Sequence, residues 1–141
     1  MGLIAIDAEL ARVTLARAGT VRVRVAGGSM GPWIRSGDVV ELEPADPGSV
    51  RRGEVLVFER HGRLVAHRAV RRAERGWITR GDALDAPDAI VEDDAVVGRV
   101  VGLHLRWLTI ERPNRRLSQL AGRMLLRASP LWARVAKRLA R

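Results

Sequence analysis

The sequence predicts a mostly β fold, a small barrel or sandwich of short strands, with a short helix before it and a basic amphipathic helix after it. Two observations support this prediction. Apolar and polar residues alternate in short segments across residues 20–110, and turns containing glycine or proline separate these segments at intervals of about 8–12 residues. Apolar residues at helical spacing occur only near the two ends of the chain.

Residues 1–19 are the first predicted segment, which is helical. Apolar residues recur at helical spacing from Leu3 to Val13, with charged residues between them, and indicate an amphipathic helix over residues 3–18. Gly19 follows directly and is a typical residue at the end of a helix.

The predicted β domain covers residues 20–110. The valines from Val21 to Val25 alternate with arginines, which is typical of a half-buried strand. The last predicted strand contains Gly98 and Gly102, and glycine inside a strand often marks a bulge or a close approach of two backbones. The predicted strands span residues 20–26, 39–43, 55–58, 63–71, 77–80 and 95–105.

Residues 111–141 are the third predicted segment. They contain nine Lys or Arg and one acidic residue, a net charge of +8, which leaves +1 for residues 1–110. From Pro113 the apolar residues follow helical spacing with arginines between them, and Pro130 interrupts this basic amphipathic helix. Residues 113–141 either lie on an anionic membrane surface or pack on the body or a partner protein. The nearly neutral body argues against specific nucleic-acid binding.

The composition excludes several kinds of chemistry. The chain has no cysteine, which excludes disulfides, thiolate zinc sites and thiol nucleophiles. Its three histidines are scattered along the chain, so we expect neither a metal nor a cofactor. No apolar run reaches the roughly 20 residues that span a bilayer, and residues 1–20 lack the pattern of a secretory signal. We therefore expect a cytoplasmic protein, or one that is peripherally associated with a membrane.

A serine flanked by glycines is the first candidate for chemistry. A tight turn directly after a predicted strand contains Gly28, Ser29, Met30 and Pro32. Glycine lets the backbone come close to a bound chain, and Pro32 sets the exit direction of the turn. This placement suits a nucleophilic hydroxyl, and the backbone N–H of Ser29 is a candidate donor to an oxyanion. The alternative, more common for an isolated serine in a turn, is a side chain that bonds only to backbone.

A nucleophilic serine needs a base that is active near neutral pH and a group that orients this base. Histidine meets the first need, and His67 lies in a predicted strand. A carboxylate meets the second, and the polar loop over residues 81–88 contains Asp82, Asp85 and Asp88. The residues alone do not choose among these aspartates. A half-buried histidine with ordinary partners and solvated aspartates are the alternative interpretation.

A series of short motifs, in order and over roughly residues 20–103, resembles the type I signal peptidase family and its wider clan, which includes the LexA-like self-cleaving repressors. The motifs are Gly28-Ser29-Met30-x-Pro32, Gly37-Asp38-Val39-Val40, Arg52-Gly53-Glu54-Val55-Leu56-Val57-Phe58, Val65-Ala66-His67-Arg68, Thr79-Arg80-Gly81-Asp82 and Val97-Gly98-Arg99-Val100. In some members of the clan the catalytic pair is a serine nucleophile and a lysine base. The forms of the endoplasmic reticulum and of archaea have histidine at the lysine position, and His67 matches that position.

The resemblance implies a serine endopeptidase with Ser29 as nucleophile and His67 as general base. It also implies that an aspartate of the Gly-Asp loop completes the site, and Asp82 and Asp88 both match this description. Asp85 is a third candidate.

The resemblance further implies an extended precursor peptide as substrate, bound along a strand edge and cut after small residues. We place Gly28, Met30 and Pro32 at the substrate or oxyanion site. Two alternatives stay open. One is a non-catalytic module of the same fold that binds a peptide or a protein, and the other is a LexA-like protein that cleaves itself.

Overall fold

A computed structural model of the chain describes residues 3–104 and 109–110. Within these residues one α-helix and nine β-strands occur, numbered here in chain order. The helix α1 spans Ala8–Ala18. The strands are β1 (Leu3–Asp7), β2 (Val21–Ala26), β3 (Val39–Glu43), β4 (Val55–Arg60), β5 (Arg63–Ala73), β6 (Gly76–Arg80), β7 (Val91–Glu92), β8 (Val96–His104) and β9 (Thr109–Ile110).

These strands form one antiparallel sheet in the order β1-β2-β3-β8-β4-β5-β6-β7, with β9 beside β8. β1 pairs a second time, with β5, so the sheet curls until β1 lies between β2 and β5. β6 and β7 continue the sheet beyond this contact, and the sheet as a whole is not closed into a barrel. The predicted mostly β class is confirmed, with the strands in one curled sheet.

The start of the chain differs from the helix predicted over residues 3–18. Residues Leu3–Asp7 form a strand, and α1 begins only at Ala8. Pairing with β2 and β5 on both edges gives the extended backbone its hydrogen-bond partners, which local helical spacing does not reveal. The Asp7 side chain then caps α1 by accepting hydrogen bonds from two backbone N–H groups of its first turn. Gly19 ends α1 in the left-handed conformation, with φ of 76°.

The hydrophobic core consists of two clusters that share β4. Val55 and Val57 belong to the first cluster, whereas Leu56 and Phe58 belong to the second. Because successive residues of a strand face opposite sides, β4 is buried on both faces, which explains its unbroken apolar sequence. Helix α1 covers the first cluster through Leu15. β5, which carries the candidate base, runs alongside β4 through the middle of the body.

The glycines of β8 mark irregularities in the sheet, as predicted for glycine inside a strand. The register of β8 shifts next to Gly102 in the pairing with β3, and next to Gly98 in the pairing with β4. A Cβ atom on Gly98 would lie 2.5 Å from the backbone oxygen of Glu43. The close approach of these two backbones therefore requires glycine at this position.

The basic helix predicted for residues 111–141 lies outside the described residues. Its association with a membrane, with the body or with a partner therefore stays a prediction. Among residues 3–104 and 109–110, no helix has the length and apolar character to cross a membrane.

Candidate active site

Ser29 lies in a turn that leaves β2 after two exposed glycines. Gly27 has φ of 86°, a conformation that favours glycine. The turn closes where the N–H of Gly31 donates to the carbonyl of Gly28 at 3.1 Å, and the Gly31–Pro32 peptide bond is cis. The Ser29 side chain lies inward, and the residue is only 4% exposed.

His67 lies near the middle of β5 and is 1% exposed. Its backbone is held by the pairing of β5 with β4, which runs from Arg63 to Arg68. The imidazole also packs edge-on against Phe58 of β4, with ring centroids 6.1 Å apart and an interplanar angle of 70°. Strand pairing and side-chain packing together hold the ring in one orientation.

Three side chains from separate segments form a continuous hydrogen-bonded series. Ser29 Oγ lies 2.9 Å from His67 Nε2, and His67 Nδ1 lies 2.5 Å from Asp88 Oδ2. A carboxylate can only accept, so Nδ1 carries the hydrogen and donates it to Asp88. In the neutral imidazole Nε2 is then the acceptor for the Ser29 hydroxyl, as a base that removes its proton must be. The structure thus brings together Ser29, His67 and one of the three candidate aspartates.

Asp88 is held by two further side chains and by its own backbone. Thr79 Oγ1 donates to Oδ2 at 2.7 Å, and Arg60 Nη1 donates to Oδ1 at 3.3 Å. The N–H of Asp88 donates to the carbonyl of Thr79 at 2.8 Å. Burial alone raises the pKa of Asp88, but the hydrogen bonds it accepts, first that from His67, outweigh burial and lower this pKa below its usual value. Asp88 is therefore an anion near neutral pH.

Asp82, in contrast, does not contact His67. It forms a buried ion pair with Arg68, whose Nε and Nη2 atoms donate to the two carboxylate oxygens at 2.8 and 2.6 Å. Because consecutive residues of a strand face opposite sides, His67 and Arg68 reach different aspartates of the same loop. Asp85 is exposed in that loop. Of the three candidates, Asp88 is the one in contact with His67.

The loop over residues 81–88 is docked against the serine turn. The N–H of Ala83 donates to the carbonyl of Ser29 at 2.9 Å. A Cβ atom on Gly81 would lie 2.6 Å from the same carbonyl oxygen, so glycine is what allows this close approach. One loop therefore positions the backbone of Ser29 and the carboxylate of Asp88 relative to each other.

The other residues predicted at the site have different surroundings. The Met30 side chain is 1% exposed and belongs to the first hydrophobic cluster, whereas Gly28 and Pro32 are exposed on the turn. In the part of the chain that the structure describes, the backbone N–H groups of Ser29 and Met30 donate no hydrogen bond. These two N–H groups are the candidate donors to an oxyanion at Ser29.

Sequence reasoning did not identify Thr79, Arg68 or Arg60 as parts of the site. Thr79 and Arg68 lie within motifs that had been recognised, and Arg68 directly follows His67. Thr79 is 0% exposed, and a buried hydroxyl needs a partner, which Asp88 provides. Nothing in the sequence near Arg60 indicates a role at the site, because its contact with Asp88 depends on how the β4–β5 hairpin lies beside the loop over residues 81–88.

No family model matches this chain, and neither curated proteins nor solved structures show a significant similarity to it. Among the described residues, no group of three or more His, Asp or Glu side chains is arranged to hold a metal ion. The proposal of a function therefore rests on the geometry of the site and on the resemblance of the motifs.

Proposed function

We propose that this protein is a serine endopeptidase resembling signal peptidase, in which Ser29 is the nucleophile, His67 the general base and Asp88 the group that orients His67. The supporting observation is the hydrogen-bonded series in which buried Ser29 and His67 and the partly buried Asp88 carboxylate are joined at 2.9 and 2.5 Å. A serine in an ordinary turn needs neither a buried histidine nor a carboxylate behind that histidine. Acyl transfer by a serine with a histidine base uses all three groups in this order.

The geometry leads to a two-stage reaction. Ser29 Oγ attacks the carbonyl carbon of a peptide bond while His67 Nε2 accepts the hydroxyl proton, and Asp88 stabilises the resulting imidazolium. The N–H groups of Ser29 and Met30 stabilise the negative charge on the carbonyl oxygen. The C–N bond breaks as His67 returns the proton to the amine, which leaves an ester on Ser29. Water, deprotonated by His67 Nε2, attacks this ester, the bond from the acyl carbon to Ser29 Oγ breaks, and His67 returns the proton to Ser29 Oγ as the carboxylate product leaves.

The substrate class follows from the motif resemblance and the surface around the site. By resemblance, an extended precursor peptide is cut after small residues. Two large apolar side chains nearby are exposed, Trp33 by 47% and Leu84 by 38%. Trp33 follows Ser29 by four residues, and Leu84 lies beside Gly81, where the loop meets the serine turn. Both offer apolar surface to a bound peptide.

Labelling with a serine-reactive acylating probe tests this proposal. We expect one adduct on the wild-type protein by intact mass and none on Ser29→Ala. Because a positioned general base contributes roughly 10²–10⁴-fold to such a reaction, we expect His67→Gln, which keeps the side-chain bulk, to react slower by that factor.

Matched controls are Ser36→Ala and His61→Asn, since both residues are exposed and lie outside the site. Both variants should label like the wild type. An adduct that persists on Ser29→Ala, or no adduct on folded wild-type protein, would contradict the proposal and favour a non-catalytic binding module.

A further inference from the structure

β1 lies between the two strands that deliver the candidate site residues. Its residue Leu3 pairs with Ala26 of β2 on one side and with Val65 of β5 on the other. Ala26 precedes Ser29 by three residues, and Val65 precedes His67 by two. The end of β1 nearest to the site is therefore Leu3, and the gap between β2 and β5 leads directly to the Ser29–His67 contact.

The side of this gap formed by β2 presents backbone hydrogen-bonding groups. Val25 directs its own groups to the opposite side, since its N–H donates to Asp38 and its carbonyl accepts from Gly37, both at 2.8 Å. Adjacent residues in an antiparallel strand alternate in the direction of their hydrogen bonds. The N–H and carbonyl of Ala26 therefore point into the gap.

The side formed by β5 is arranged in the same way. The N–H of Ala69 donates to the carbonyl of Glu54, and the carbonyl of Ala69 accepts from the N–H of Gly53. The backbone groups of Ala69 therefore point to the edge of β5 that faces β4. By the same alternation, Leu64 and Ala66 direct their groups into the gap. We call this gap, bordered by Ala26 and residues 64–66, the strand slot. Its two walls suit an extended polypeptide.

β1 and α1 are held by different contacts. β1 has five residues, and its register with β5 is irregular between Ile4 and Asp7. α1 is anchored independently, because Leu15 is buried in the core and Arg12 donates to two backbone carbonyls near the start of β8, at 3.1 and 3.4 Å. The cap at Asp7 marks the joint between the two elements.

We propose that the strand slot is the peptide-binding cleft of this site and that β1 is its internal occupant, which a peptide substrate has to displace. The inference rests on the proposed endopeptidase function. Backbone groups that are paired with β1 cannot pair with a substrate at the same time. β1 therefore competes with the substrate, and the apparent affinity for a peptide falls with the fraction of molecules whose slot is open.

A reversible crosslink tests the displacement. Positions 4 and 25 are directly opposite, and the backbone groups of Val25 bond to residues 37 and 38, which precede β3, so positions 4 and 25 form a pair without shared hydrogen bonds. In such a pair the Cα atoms lie about 4.5 Å apart, which is within the range that a disulfide accepts. The chain has no cysteine, so Ile4→Cys with Val25→Cys introduces one defined disulfide. Each single variant is a control.

Two readouts distinguish the proposed displacement of β1 from the proposed endopeptidase activity on which it rests. One is labelling of Ser29 by the small acylating probe, and the other is cleavage of a quenched fluorescent peptide with alanine residues before the scissile bond. In the oxidised double variant we expect labelling to persist while cleavage falls roughly tenfold or more, with recovery after reduction. The single variants should not respond to reductant.

Equal cleavage by the oxidised and reduced forms, with Ser29 labelled in both, would overturn the role of β1 and leave the endopeptidase proposal standing. No labelling of Ser29 in the wild type or in either form of the variant would overturn the endopeptidase proposal, and the role of the strand slot with it.

Discussion

At the residue scale, the two aspartates that match the same motif have different partners. Asp88 accepts the hydrogen of His67 Nδ1, whereas Asp82 neutralises Arg68. The side chains of Arg68 and Asp82 are only 7% and 4% exposed. A buried charge that loses its partner is strongly destabilising. Asp82 therefore supports the fold beside the site, whereas Asp88 contacts His67, the candidate base.

Matched asparagine variants should separate these two roles. We expect Asp88→Asn to slow acylation of Ser29 by up to roughly 10⁴-fold, because the amide no longer favours the required tautomer of His67. We expect Asp82→Asn to lower the free energy of unfolding by about 3 kcal/mol, because Arg68 stays buried and loses a full negative charge. Labelling rates and urea unfolding, measured on both variants, check the prediction. The reverse pattern would show that the two roles are exchanged.

At the scale of elements, the site forms where three segments meet. The exit of β2 supplies Ser29, β5 supplies His67, and the loop after β6 supplies Asp88. None of these elements is adjacent in sequence to both others, so their relative positions depend on docking contacts. One of these contacts is that between Gly81 and the Ser29 carbonyl, where an added Cβ atom would lie only 2.6 Å from the carbonyl oxygen.

Two glycine-to-alanine variants test this docking. In Gly81→Ala the new Cβ would lie 2.6 Å from a backbone oxygen, and we expect a loss of about 1–3 kcal/mol in the free energy of unfolding together with slower labelling of Ser29. Gly28→Ala is the control, because a Cβ there meets nothing within 4 Å. It should keep stability to within about 0.5 kcal/mol. Equal stability of the two variants would mean that the loop adapts without cost.

At the scale of the whole molecule, a polar site is enclosed by two apolar clusters. Ser29, His67, Arg68, Thr79 and Asp82 are all buried in the described part of the chain. Each of them has a hydrogen-bond partner. Such a network stabilises the fold only in the protonation state that satisfies every member. The stability of the molecule should therefore depend on pH through Asp88.

The direction of this dependence follows from the lowered pKa of Asp88. The unfolded chain binds a proton at this carboxyl more readily than the folded protein does. The stabilisation is therefore complete above the unfolded pKa of about 3.9 and is lost as the pH falls through the lower, folded value. As the pH falls from about 5 to about 2, we expect the free energy of unfolding, measured with urea, to decrease more for the wild type than for Asp88→Asn.

Asp93→Asn is the control for this measurement. A hydrogen bond from Arg72 also lowers the pKa of Asp93, but the two side chains are 38% and 40% exposed. Solvent screens such a pair, so removing the Asp93 charge should change the pH dependence of stability less than removing the Asp88 charge does. Parallel pH profiles for the wild type and Asp88→Asn would exclude a stabilising Asp88 anion.

Much of the fold was predictable because its cause is local. Alternating valines and arginines predict β2, and the unbroken apolar sequence of β4 predicts a buried strand. The serine turn and the histidine strand were likewise visible as short motifs. The strand at Leu3–Asp7 was not predictable in this way. Its apolar residues also fit a helix, and only pairing with β2 and β5 makes the extended form favourable.

The sequence by itself determined six strands of the body, β2 to β6 and β8, but not the two-residue strands β7 and β9. It also determined the turn that presents Ser29, and His67 as its candidate base. Only the tertiary structure decided which aspartate meets that base and what lies between β2 and β5. The physical reason is that strand and turn preferences act over a few residues, whereas the three candidate aspartates share one loop and differ in their tertiary surroundings. Asp82 meets Arg68 and Asp88 meets His67 on opposite faces of β5, and Asp85 is exposed. That choice exists only after the sheet has curled and the loop has docked on Ser29.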